Sequence, residues 1–109
     1  MPDFEKDFEG FLNTKRLAYK NNADFTTSAY KNIISKIKGN PKLEERLAYV
    51  VRKLCRGESI TEASYNDHQL TDKHRLRELH ISGDILLVYR IDENKHVISF
   101  TTCCNHKGL

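Results

Sequence analysis

The stretch RELHISGDILLVYR, residues 77–90, decides the fold of this chain. Residues 85–91, which extend one position beyond this stretch, form an apolar run rich in branched side chains and broken only by Arg90. Such a run indicates a central strand covered on both faces. The run is far shorter than the roughly 20 residues that span a bilayer. We therefore predict that the hydrophobic core forms around this strand.

The residues just before this run predict a second strand and a tight turn. Leu79 and Ile81 alternate with polar residues at the period of a strand, so the apolar pair faces inward and His80 faces the other way. The Ser-Gly pair that follows favours a turn. The resulting hairpin places His80 and Asp84 on either side of its turn, a titratable imidazole near a carboxylate. We expect any chemistry at this end of the sheet.

Length and composition fit one folded domain, residues 1–109, with an N-terminal helical extension at 1–23. Charged residues make up 30% of the chain and hydrophobic residues 39%, an ordinary balance for a soluble protein.

The N-terminal segment is too acidic for a signal peptide, so we expect the protein in the cytoplasm. The net charge of +3 permits a polyanionic partner without requiring one. The three cysteines include an adjacent pair, which argues against a disulfide framework and fits a reducing compartment.

Aromatic and apolar residues near the N-terminus recur at helical spacing. They indicate an amphipathic helix within residues 1–20, despite the glycine at position 10. The members of this stripe are Phe4, Phe8, Phe11, Leu12 and Tyr19. Such a helix either packs on the core as an addition or presents a docking surface for a partner or a second copy.

A short strand and two helices follow, and a further strand comes near the C-terminus. Residues 24–27 favour a strand, and Ser28 fits the N-cap of a helix with an apolar stripe. Asn40, followed by proline, begins the next helix, and Gly57 ends it. Residues 96–102 favour the last strand. We predict an α+β fold in the order strand-helix-helix-strand-strand-strand, a helix hairpin packed on a small antiparallel sheet.

Five histidines are more than a chain of this length usually carries. Because histidine titrates near neutral pH, a cluster of histidines on one surface can transfer protons. The alternative is that most are solvated loop residues, which we expect of His74 and His96. His68, His80 and His106 are the candidates for chemistry.

A metal site is a competing use of the same residues. Cys103, Cys104 and His106 supply ligands that zinc prefers, and His68 or His80 would complete a tetrahedral set. Adjacent cysteines rarely bind one ion together and no CxxC pair is present, so we expect no metal and no other cofactor. The sequence also lacks a Gly-rich phosphate loop, a GxSxG elbow and an HExxH helix, which excludes the common nucleotide-binding, hydrolase and zinc-protease classes.

A resemblance to a known family rests on two motifs, Y-x-D-H-x-L at 65–70 and R-E-x-H-I-x-x-D-x-L-L-V-Y at 77–89, and on a strand that ends four residues before His106. These features are similar to those of the YafQ branch of the RelE-type toxins. Members of that branch are bacterial messenger-RNA interferases of type II toxin–antitoxin systems. The resemblance covers most of the chain beyond about Asp24 and leaves the N-terminal extension unmatched.

The resemblance implies a compact RelE-like domain that enters the ribosome and cuts the messenger RNA there. In the family's reaction the ribose 2′-oxygen attacks the adjacent phosphate, which needs a base, an acid and a cation but no metal. Carried over to this chain, His106 is the expected acid, and His80 or His68, assisted by Asp84, is the expected base. The implied partners are messenger RNA, the ribosome and an antitoxin whose acidic or amphipathic segment covers this surface. The basic residues expected to contact phosphate are Arg75, Arg77, Arg90 and Lys107.

The sequence departs from the family pattern where the cation belongs. Family members carry an arginine four residues before the terminal histidine, and here that position is Thr102. The glycine usual two residues before the histidine is Cys104, and the aromatic residue usual near the end is missing because the chain stops at Leu109. Two hypotheses follow: an active but attenuated endoribonuclease, or an inactive module on the same fold that binds an antitoxin or RNA. Retention of all four titratable site residues favours the enzyme.

Overall fold

The computed structural model describes residues 3–14, 19–70 and 76–103. These residues form three helices and five strands, with a short 3₁₀ turn at Ala63–Tyr65. The helices are α1 (Phe4–Asn13), α2 (Thr27–Ile37) and α3 (Pro41–Cys55), and the strands are β1 (Asn22–Phe25), β2 (His68–Gln69), β3 (Arg77–His80), β4 (Leu86–Asp92) and β5 (Val97–Cys103). Within these ranges no helix is long and apolar enough to cross a membrane.

The five strands form one mixed sheet in the order β1-β5-β4-β3-β2. Strands β2 to β5 pair antiparallel, whereas β1 runs parallel to β5. The predicted α+β architecture, with a helix hairpin and an antiparallel meander, is confirmed. The sheet differs from the prediction in being mixed, because the long chain between β1 and β5 permits a parallel pair. It also contains β2, which is too short to show the period of a strand.

The helices begin at local capping signals. Thr26, rather than Ser28, caps α2, because the Thr26 hydroxyl accepts the N–H of Ala29 at 3.2 Å and Ser28 already lies in the first turn. The Asn40 side chain accepts the N–H of Leu43 at the start of α3, so the predicted cap of that helix is confirmed.

The hydrophobic core lies between the helices and one face of the sheet. Both layers contribute side chains that are fully buried. The largest of them include Tyr89, Phe100, Leu79, Leu47 and Ile33. Because residues alternate between the two faces of a strand, the odd-numbered residues of β3 and β4 face the helices and the even-numbered ones face away.

Helix α1 packs on this core as an added helix, the first of the two alternatives for the N-terminal stripe. Phe8 is 5% exposed, and its ring lies edge-on to Phe25 at 5.9 Å and stacks on Tyr30 at 6.4 Å. The helix ends at Asn13, earlier than the apolar stripe indicated, because Thr14 has an extended backbone.

The cysteines of the described residues differ in state. Cys55 is a free, buried thiol on α3, and burial raises its pKa to about 11. Cys103, at the end of β5, is disulfide-bonded, which the cysteine spacing did not predict.

Candidate active site

A row of four residues crosses the sheet on the face turned away from the helices. His68 on β2 pairs with Glu78 on β3, and Glu78 pairs with Val88 on β4. Val88 in turn pairs with Thr102 on β5. Directly paired residues point to the same face of a sheet, so these four residues form one row, which we call the site row. His80 follows Glu78 by two residues and points to the same face.

A β-bulge turns Thr102 onto this face. Phe100 is buried in the core and pairs with a core residue of β4, whereas Thr102 pairs with Val88, so Thr101 is an extra residue in β5. In a regular strand Phe100 and Thr102 would share a face. The Thr26 hydroxyl donates to the carbonyl of Thr101 at 3.4 Å. The residue after β1 therefore contacts the bulge directly.

The carboxylate of Glu78 is the centre of the site row and is only 3% exposed. Its Oε1 lies 3.4 Å from Nε2 of His80 and 3.6 Å from Nε2 of His68. The side chains of His68 and His80 are 42% and 22% exposed, so both imidazoles reach solvent. A carboxylate between two imidazoles can stabilise whichever ring is protonated while the other accepts a proton.

Glu78 is not among the site residues predicted from the sequence. Strand alternation already places Glu78 and His80 on one face, so part of the signal was available. The pairing of Glu78 with His68 depends on β2, and no local pattern predicts that strand. The structure therefore brings His68 and His80 together through a residue that had been assigned no role.

The ring of His68 is held by the backbone just before it. Its Nδ1 lies 2.7 Å from the carbonyl oxygen of Asn66. Because a carbonyl only accepts hydrogen bonds, Nδ1 carries a proton and Nε2 faces Glu78. Asn66 has a left-handed backbone with φ of 45°, a conformation that asparagine adopts more readily than most residues. The orientation of the His68 ring is thus held by the backbone that precedes it.

Asp67 anchors the same segment on the opposite face of the sheet. Its Oδ1 accepts the Tyr89 hydroxyl at 2.7 Å and Nε of Arg77 at 3.3 Å. The Asp67 side chain is 4% exposed, and Tyr89 is fully buried. Burial and the hydrogen bond to Asp67 raise the pKa of the Tyr89 hydroxyl, so this group stays a donor at neutral pH. A cavity of about 290 Å³ opens beside this network on the helix side, behind the site row.

Tyr89→Phe is expected to lower the free energy of unfolding by about 1–3 kcal/mol, because it removes a donor from a buried carboxylate and keeps the ring. Urea unfolding at neutral pH measures the loss. Tyr30→Phe is the matched control, because the Tyr30 hydroxyl donates to Glu9 at the surface, at 3.2 Å. That change should cost no more than about 0.5 kcal/mol. Equal losses in both variants would contradict the anchoring role of Asp67.

The two predicted arginines within the described residues lie on opposite faces. Arg77 bonds to Asp67 behind the sheet, away from the site row. Arg90 is exposed on β4, two residues after Val88, and so lies on the face of the site row. Asp84 is exposed in the turn between β3 and β4, and no ion pair of the described residues includes it.

The remaining predicted residues are His74, Arg75, Cys104, His106 and Lys107, and all five lie outside the described residues. His96 is exposed in the turn after β4, as expected of a solvated loop histidine. Among residues 3–14, 19–70 and 76–103, no group of three or more His, Cys, Asp or Glu side chains has the arrangement of a metal site.

The chain matches a known protein family over most of its length. Residues 21–109 match the family model described as a bacterial toxin of type II toxin-antitoxin system, YafQ. No curated protein matches the chain. The match does not include α1.

Several solved structures are similar over most of their length. A chain of the E. coli DinJ-YafQ toxin-antitoxin complex is 20% identical, with a TM-score of 0.63 over 83% of this chain and 97% of that chain. A metal-bound toxin from Helicobacter pylori is 27% identical, with a TM-score of 0.63 over 80% of this chain and 96% of that chain. The YoeB dimer from Staphylococcus aureus is 16% identical, with a TM-score of 0.64 over 80% of this chain and 98% of that chain.

Proposed function

Because this chain belongs to the YafQ family of toxins of bacterial type II toxin–antitoxin systems, we propose that it is an endoribonuclease that cleaves messenger RNA at the site row. The observation that carries the proposal is the pair of imidazoles that meet at the buried carboxylate of Glu78. The fold is that of the RelE-like toxins. The site row lies on the face of the sheet turned away from the helices, where Val88 and Glu78 are buried and the imidazoles of His68 and His80 reach solvent.

The reaction that suits these groups is attack of the ribose 2′-hydroxyl on the adjacent phosphate. His80 takes the 2′-proton, and the carboxylate of Glu78 stabilises the imidazolium that forms. The P–O5′ bond breaks as the P–O2′ bond forms, which yields a 2′,3′-cyclic phosphate and a 5′-hydroxyl. The 5′-oxygen takes a proton from an acid, for which His106 is the candidate. Asp84 stays a candidate to assist the base.

The positive charge that stabilises the transition state is proposed to come partly from His68. When protonated, this ring donates to the Asn66 carbonyl from Nδ1 and presents its second N–H toward the site row. Arg90 is on the same face, and of the two predicted arginines that the structure describes it is the better placed to contact phosphate. Arg75 and Lys107 complete the proposed set of phosphate contacts, whereas Arg77 is held by Asp67 on the other face of the sheet.

The proposed partners are messenger RNA on the ribosome and a cognate antitoxin, and the proposed location is therefore the cytoplasm. The similar structures include toxin–antitoxin complexes, DinJ-YafQ and YoeB-YefM. An antitoxin segment that neutralises this toxin would cover the site row with acidic or apolar side chains.

The alternative function is a module of the same fold that binds an antitoxin or RNA without cutting it. The observation that favours it is Thr102, which brings no positive charge to the site row. Both functions predict antitoxin binding, so only cleavage distinguishes them.

His68→Asn and His80→Asn are each expected to reduce cleavage by about a hundredfold, because His80 is the proposed base and His68 the proposed source of positive charge. Cleavage is measured by mapping messenger-RNA 5′ ends after expression from a tight promoter, and by the release of cyclic-phosphate products from RNA in vitro. His96→Asn is the matched control, because His96 is exposed and has a φ of 56° that asparagine tolerates. Wild-type activity is expected in this control.

Two outcomes of this experiment would contradict the proposal. Intact RNA in all four proteins, together with retained RNA or antitoxin binding, would favour the binding module. Because a similar H. pylori toxin is described as metal-bound, the assay is repeated with a chelator. Loss of wild-type cleavage in the chelator would contradict a metal-independent mechanism.

A further inference from the structure

Arg46, on the middle of α3, contacts both chain segments that carry the site histidines. Its Nε donates to the carbonyl of Ile81, the residue after His80. Its guanidinium carbon lies 4.2 Å from the centre of the ring of Tyr65, three residues before His68. We propose that Arg46 is a positioning residue that fixes the two histidines relative to each other. This role rests on the proposed function, because Arg46 acts through groups that do the chemistry.

The segment before His68 lies on a platform of α3 side chains. The ring of Tyr65 stacks on Tyr49 at 5.9 Å and 24°. The Tyr49 hydroxyl donates to Glu62 and accepts from Nζ of Lys53 at 3.0 Å. Because Tyr49 and Lys53 follow Arg46 by three and seven residues, all three lie on one side of the helix. The Tyr65 ring that Arg46 contacts is therefore already held in place by Tyr49.

The segment after His80 is held at both backbone groups of Ile81. Its N–H donates to the carbonyl of Ile85 at 2.7 Å within the hairpin, and its own carbonyl accepts from Arg46. The Ile81 side chain is fully buried. A shift of Arg46 would consequently move the start of the turn, and His80 with it.

Only a guanidinium has the shape for both contacts. Its flat face stacks on an aromatic ring while an edge N–H donates in the plane. A lysine at position 46 would keep the charge but offers a single rotating ammonium, which cannot stack on Tyr65 and reach Ile81 in one fixed geometry.

Loss of Arg46 would disturb the positions of the two imidazoles beside one carboxylate oxygen of Glu78. Nε2 of His80 and Nε2 of His68 lie 3.4 Å and 3.6 Å from Oε1 of Glu78. Displacing a reacting group by about 1 Å can cost a hundredfold in rate. Loss of Arg46 should therefore reduce kcat and leave RNA binding, and hence KM, almost unchanged.

The test compares Arg46→Met and Arg46→Lys with wild type in the full chain. Cleavage of an RNA oligonucleotide gives kcat and KM, and NMR of the imidazole nitrogens of His68 and His80 reports their surroundings directly. We expect kcat to fall about tenfold to a hundredfold in Arg46→Met and less in Arg46→Lys, with shifted resonances of both histidines. Arg52→Met is the control, because Arg52 is exposed on the same helix, and it should match wild type in both readouts.

The outcomes separate this role from the proposed function. Wild-type kcat and unmoved histidine resonances in Arg46→Met would overturn the positioning role. If Arg46→Met fails to fold, Arg46→Lys decides, and wild-type behaviour there would overturn the role. If wild type cuts no RNA but the resonances move in the Arg46 variants alone, the positioning role stands and the endoribonuclease proposal fails.

Discussion

Replacing Glu78 by glutamine is expected to reduce RNA cleavage by about a hundredfold or more while the chain stays folded. Glutamine has the shape of glutamate but no charge, so it cannot stabilise the imidazolium formed when His80 takes the 2′-proton. The buried position of Glu78 strengthens this interaction, because few water molecules compete for the carboxylate. Single-turnover cleavage of an RNA oligonucleotide, with urea unfolding in parallel, measures the two effects separately.

Glu93→Gln is the control for this change, because Glu93 is exposed in the turn after β4. It removes the same charge from the chain and should leave cleavage unchanged. If Glu78→Gln cleaves at the wild-type rate, the carboxylate has no part in the chemistry, and the base would have to work with Asp84 as the sequence analysis expected.

Thr102→Arg is expected to increase cleavage by about a hundredfold, because one hydrogen-bond donor to a charged transition state usually changes the rate by about that factor. Thr102 stands in the same row as Glu78, two strands away, which is roughly 10 Å at the spacing of a sheet. A long arginine side chain spans much of that distance and would bring a guanidinium to a phosphate bound over the row. The measurement is kcat at saturating RNA.

Thr101→Arg separates this effect from general attraction of RNA. It adds the same charge one residue away, on the bulge, where the side chain is exposed. We expect tighter RNA binding but an unchanged kcat in this control. Equal gains in both variants would mean that charge alone helps, and no gain in Thr102→Arg would favour the binding module over the enzyme.

Local signals account for the part of the fold that the sequence predicted. Gly39 and Gly57 end α2 and α3 with φ of +85° and +82°, which glycine adopts without steric cost. Asn40 caps α3 through its own side chain. By contrast, β2 and the bulge at Thr101 leave no periodic trace, because they exist through pairing with strands far along the chain. A helix cap can be predicted from residues adjacent in the sequence, whereas the pairing of two distant strands cannot.

The candidate site shows the same division between local and distant effects. Strand alternation placed His80 on the face away from the core. The same alternation places Arg77 behind the sheet, although charge alone had grouped it with Arg90 as a phosphate contact. The sequence predicts no role for Glu78, because a glutamate on a strand is normally solvated. In the structure Glu78 is buried, and its carboxylate lies between the imidazoles of His68 and His80.

The extra residue in β5 can be removed without changing the face on which position 102 lies. Loss of Thr101 would make Phe100 and Thr102 neighbours in the chain and restore ordinary alternation, so Thr102 would still pair with Val88 and Cys103 with Leu87. An arginine at position 102 should therefore reach the site row in the shortened chain as well. Alignments of distant relatives that ignore this extra residue would shift the strand by one position and assign the wrong side chain to the RNA.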